Sequence, residues 1–163
     1  MAAIDPILDE LTREAATTRR VLERIPPDQL AWRPHQKSKS IGELAWHVAS
    51  IPSRIAKLIQ DDEADVTSVK QSPMPETTAG LVEGFDRQLA EAKELLARLD
   101  DAALSRMTTM RRGDVKLFAG PKVALLRTVM LNHTYHHRGQ LSVYLRLLDV
   151  PVPSVYGPTA DES

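Results

Sequence analysis

His133 and His137 stand four residues apart in a stretch of helical apolar spacing. Both imidazoles therefore rise from one helix face, with Cβ atoms about 5–6 Å apart. Two ring nitrogens so placed can reach one first-row metal ion at about 2.0–2.1 Å. The pair by itself reads equally well as a polar seam, although imidazoles without partners are costly in an apolar core. His47 offers a third nitrogen. It follows Leu44 by three positions and precedes Ile51 by four, which sets it beside the apolar stripe of its own helix. Taken singly, His47 reads as a core or boundary histidine; with the other two it completes a ligand set drawn from two helices. Three neutral imidazoles leave further coordination positions open, the pattern of a catalytic rather than a closed structural site. The ion would keep its full 2+ charge, and so lower the pKa of a bound water toward about 7 or hold an added thiol as the nucleophilic thiolate. Water activation makes a hydrolase and thiolate activation a transferase; the sequence does not choose between them.

The neighbours of these histidines have readings of their own. Glu43, one turn before His47, either accepts an N–H from that ring or closes a capping box with Ser40, and the box is the stronger reading. Gln140 lies one turn beyond His137, placed to orient a metal-bound water or to face solvent. His136 points about a quarter turn away from His137, and His35 sits in a loop; either can line a pocket without being a ligand. Arg138 anchors an anionic group or faces solvent. Gly139, mid-helix at a cost of about 1 kcal/mol relative to alanine, points to the close approach of another helix.

Positioning these side chains requires long helices, and four amphipathic segments supply them. The first carries Ile4, Leu8, Leu11, Ala15, Leu22 and Ile25 and stops at Pro26-Pro27, which cannot continue a helix. The second opens at Ser40, runs Ile41, Leu44, Val48, Ile51, Ile55, Leu58 through an internal Pro52, and frays at Asp61-Asp62-Glu63. A polar connection, Ala64 to Glu76, leads to a third helix over about Thr78 to Asp100. Met107 to Gly120 contains the turn signal Arg112-Gly113-Asp114 and could form a small hairpin. The last helix begins near Pro121 and runs to about Asp149, with a proline-bearing tail extended beyond it. An all-α four-helix bundle in one domain, 1–163, is the expectation.

Composition narrows the function. With no cysteine, disulfides, thiolate metal ligands and a cysteine nucleophile are all excluded, and any thiol must come from outside. The net charge of −1 and the absence of a basic stripe interleaved with aromatics speak against nucleic acid. No apolar run approaches the roughly 20 residues of a membrane span, and no signal peptide is visible, so a cytoplasmic protein is expected.

The stretch His133-Thr-Tyr-His-His-Arg-Gly-Gln140, followed by Leu141-Ser-Val-Tyr-Leu-Arg146, closely resembles the signature of the DinB/YfiT-like metalloenzyme family. The resemblance extends upstream to Leu30-Ala-Trp-Arg-Pro34 and Ser40-Ile-Gly-Glu-Leu-Ala-Trp-His47, and downstream to Val150-Pro-Val-Pro153 and Tyr156-Gly157. It implies an up-down-down-up four-helix bundle and matches the family's three ligand positions to His47, His133 and His137. It further implies one divalent ion (nickel, zinc or another first-row metal), a homodimer, and a metal-dependent S-transferase for a low-molecular-weight thiol such as bacillithiol or mycothiol, or a hydrolase, acting on a small molecule. A non-catalytic metal-binding, stress-response or interaction protein is the alternative.

Overall fold

Two sequence features fix where the helices start. Ser40 Oγ accepts the backbone N–H of Glu43 at 3.1 Å while the Glu43 carboxylate accepts that of Ser40 at 2.7 Å, so the capping box forms and Glu43 is spent on it rather than on His47. Thr77 and Asp100 cap two later helices in the same manner, through bonds to the N–H groups of Gly80 and Ala103. The computed structural model describes residues 2–162; Met1 and Ser163, the ends of the expected domain, lie outside the described residues.

In chain order the elements are α1 Asp5–Glu23, α2 Ile41–Leu58, β1 Glu63–Asp65, α3 Thr78–Leu96, α4 Asp101–Ser105, β2 Met107–Arg112, β3 Val115–Pro121, α5 Lys122–Leu125, a π-helical segment Leu126–Asn132, and α6 His133–Leu147. The chain is mostly helical with a small sheet, which corrects the all-α expectation. The hairpin forms as β2 and β3 with a bulge between Met110 and Arg111, and β1 adds to it in parallel, so the order is β1-β2-β3. β1 takes Glu63 from the fraying end expected for the second helix and two residues from the stretch read as a connection, and three residues are too few to show an alternating pattern. The third helix ends at Leu96 rather than near Asp100, because Asp100 turns to extended backbone and caps the short α4. The last helix is not α-helical throughout: its middle is the π-helical segment.

α2 packs against α3 and α6, and α1 packs against the same two helices. Two apolar clusters result. One gathers Ile7, Leu11, Ile55, Ile59, Leu96, Leu104, Met110 and Met130; the other gathers Leu22, Ile41, Leu44, Trp46, Leu81, Phe85, Leu141 and Leu145. The glycine that marks a close helix approach is Gly84, not Gly139. A Cβ on Gly84 would lie 2.6 Å from the Trp46 ring, whereas one on Gly139 would meet nothing within 4 Å. Trp46 is held over that gap by an indole N–H bond to the Ser72 carbonyl at 2.8 Å. The tail folds back onto the helices: Asp161 accepts the Val152 N–H and pairs with Arg146, and Glu162 accepts the Ser154 N–H and pairs with Arg20 and Arg24. Among the described residues no helix is long and apolar enough to cross a membrane.

Candidate metal centre

His47 occupies the inner face of α2, between Leu44 and Ile51, which are both buried in the core. His133 and His137 open α6 directly after the π-helical segment. π-turns are rare, and they collect at functional sites because the extra residue re-aims the side chains that follow. Here the His133 N–H bonds back to the Met130 carbonyl.

The three rings converge. Centroids lie 4.5 Å apart for His133 and His137, 4.7 Å for His47 and His137, and 5.1 Å for His47 and His133. One nitrogen from each ring falls within 4.8 Å of the other two. The His137 Nε2 lies 2.8 Å from His133 Nε2, which in turn lies 3.5 Å from His47 Nε2. Three nitrogens at about 2.05 Å from one ion would stand roughly 2.9–3.4 Å apart in octahedral or tetrahedral geometry, so these spacings suit a single ion.

The outer hydrogen bonds set the inner chemistry. Gln140 Oε1 lies 2.7 Å from His137 Nδ1 and accepts its proton. His137 Nε2 is thereby left with its lone pair, 2.8 Å from His133 Nε2. Three imidazole nitrogens converging at these spacings make a donor set that fits one metal ion. Burial, chiefly, and then the charges of His137 and His133 push His47 down to about 3. Burial is also the main cause that lowers His133 and His137, with the hydrogen bonds to Val129 and Gln140 opposing it. At neutral pH all three are in the unprotonated form that binds metal.

The other candidates separate cleanly. Gln140 supports His137. His136 is exposed and stacks edge-on against His137 at 4.8 Å without joining the converging three. His35 lies in an exposed turn, its Nδ1 accepting the Lys37 N–H. Arg138 neither faces solvent nor reaches the histidines. It is 1 % exposed and turned toward α1, bonded to the Glu14 carboxylate at 2.6 Å, the Tyr156 hydroxyl at 2.7 Å and Thr18 at 3.2 Å. The anionic group it anchors is internal.

Two residues that the spacing of histidines did not single out complete the surroundings. A cavity of about 150 Å³ opens beside His47 and His133, with Ile51, Leu58, Val66 and Met110 among its apolar walls and two guanidinium groups, Arg54 and Arg112. Arg54 had a visible signal: it lies three residues after Ile51 and four before Leu58, on the inward side of α2. Arg112 had none, because it comes to the cavity only through the hairpin.

This fold is that of a family. A model of the DinB family matches residues 3–163, and the chain belongs to that family. It is similar to YrdA of Bacillus subtilis strain 168, at 24% identity over 98% of this chain and 91% of that protein. Among solved structures it resembles a DinB-like protein of Bacillus cereus ATCC 10987 (TM-score 0.72, 24% identity, 92% of this chain and 95% of the other). It also resembles the DinB-like protein YjoA of Bacillus subtilis (TM-score 0.71, 21% identity, 97% and 99%). At these identities the structural likeness speaks for the fold.

Proposed function

We propose that the chain is a cytoplasmic, homodimeric metal-dependent S-transferase, one 1–163 domain with the helices in up-down-down-up order, which uses a low-molecular-weight thiol on a small-molecule electrophile. His47, His133 and His137 would hold one divalent first-row ion, nickel or zinc being suited to three imidazoles. The observation that carries this reading is the convergence of the three rings, with His133 Nε2 2.8 Å from that of His137 and 3.5 Å from that of His47. When bound, the ion supplies Lewis acidity that favours the deprotonated form of a thiol at its open positions.

The chain's own residues supply orientation and field. Gln140 keeps the His137 ring turned inward. The apolar cavity wall excludes water from one side of the cluster and gives a substrate somewhere to lie. The charged side chains that act on the three rings, Lys39 and Arg54, are both cationic. That field favours a thiolate. Dimerisation finds support in Val143 and Leu147, one turn apart on α6 and both more than half exposed.

The test is turnover by metal-loaded protein offered a thiol panel with an aromatic chloride, and separately an activated ester. Thiol-dependent product that disappears on chelation is expected. Ester cleavage alone would favour the hydrolase reading, and stoichiometric metal without turnover a non-catalytic metal-binding protein.

A further inference from the structure

The cavity beside the histidines carries positive charge with nothing in the protein to answer it. Arg54 reaches it from α2 and Arg112 from the end of β2. Among the described residues neither makes an ion pair or a side-chain hydrogen bond, although the chain's other arginines form many, including the buried pair of Arg138 with Glu14. The Arg54 Nε is shut off from solvent and has no partner at all. A buried N–H of this kind is uncommon in a folded protein and ordinarily finds an acceptor. Asp65 feels the charge of Arg112, but its carboxylate is given to the hydroxyl and N–H of Thr67 and the N–H of Gly113. The two guanidiniums also act on each other: burial first, and then the charge of Arg112, lowers Arg54 below its ordinary value.

Like charges are held together at the edge of an apolar cavity only at a cost, and an anion between them removes it. The ligand set adds to the excess, since three neutral imidazoles leave the charge of any ion uncompensated. We propose that this cavity is a substrate subsite for a small organic oxyanion, its charged end between Arg54 and Arg112 and its short apolar body against Ile51, Leu58 and Met110, so that the far end approaches His47 and His133. The volume, about 150 Å³, suits a chain of a few carbons rather than a large conjugate. Arg54 and Arg112 are then binding residues that choose the substrate, and the histidines the group that acts on it. This inference rests on the metal-site reading for its second half only.

The experiment is a calorimetric titration of the full chain, as purified and again after chelator treatment, with pentanoate, butyl phosphate and the neutral pentanamide. At least one of the two anions should bind tenfold or more tightly than the amide in both preparations. Arg54→Gln and Arg112→Gln should each remove most of that preference, and the phosphate and carboxylate arms decide which oxyanion the site takes. Arg112 is exposed on the hairpin, so its variant reads binding without threatening the fold. Equal affinity for anions and amide, or a preference that survives both substitutions, would overturn the proposal. Failure of the metal reading looks different: no stoichiometric ion, with the anion preference intact in the chelated chain.

Discussion

Replacing Arg138 by methionine tests how much of the fold rests on one buried ion pair. The guanidinium is 1 % exposed and bonds the Glu14 carboxylate, the Glu14 carbonyl, Thr18 and Tyr156, and it lies over the Tyr135 and Tyr156 rings at 5.3 and 5.1 Å. Removing one partner of a buried pair costs about 3–5 kcal/mol, because the other charge is stranded. Glu14 keeps 18% exposure and still accepts from the Tyr156 hydroxyl at 2.9 Å, which places the loss at the lower end, about 3 kcal/mol. For a chain of this length that corresponds to a fall in Tm of roughly 6–12 °C. Thermal and urea denaturation followed by far-ultraviolet circular dichroism would measure it. The double variant Glu14→Gln/Arg138→Met should cost less than the sum of the single variants, since it removes the stranded charge as well. A loss below about 1 kcal/mol, or simple additivity, would refute the reasoning. Metal uptake should be unchanged, because Arg138 is turned away from the histidines.

Gln140→Leu removes the acceptor for His137 Nδ1 and should weaken metal binding about 10–100-fold, measured by competition with a chelator of known affinity. In the metal-free protein the depressed histidines make stability depend on pH: below about 6.5 the unfolded chain takes up protons that the folded chain refuses until about 3 for His47, so stability falls as pH falls through that window. The urea midpoint should therefore drop between pH 7.5 and 5, and drop less in His47→Gln; an equal drop in both would show that other groups carry the effect. Gly139→Ala, facing open space, should raise helix stability by up to about 1 kcal/mol, whereas Gly84→Ala, driven into the Trp46 ring, should cost about 1–3 kcal/mol. Melting curves of the two variants that shift in the same direction would contradict the packing described for α2 and α3.

The parts of this molecule that could be read from the chain are those governed by local rules. Apolar residues at helical spacing located α1, α2 and all of α3 with an overrun at its end, Ser40 and Glu43 announced the start of α2, and the positions of His47, His133 and His137 pointed to one cluster. What escaped depends on contacts between distant segments. β1 is a strand only because β2 runs beside it. The π-helical turn before His133 leaves no periodic trace, since a single added residue shifts the phase without breaking the apolar pattern. Arg138 looks from the sequence like any charged residue on a helix, and its burial is decided by Glu14, 124 positions away. Arg112 reaches the cavity because the hairpin folds over α2, which no local signal can report.

The central claim is that three imidazoles from α2 and α6 together bind one ion, and titration calorimetry of nickel or zinc into the untagged, chelator-stripped chain tests it most directly. One ion per chain is the predicted result, with uptake abolished in the His47→Ala/His133→Ala/His137→Ala variant, which should remain helical by circular dichroism. No stoichiometric uptake by the native chain, or one ion still bound by the triple variant, would contradict it.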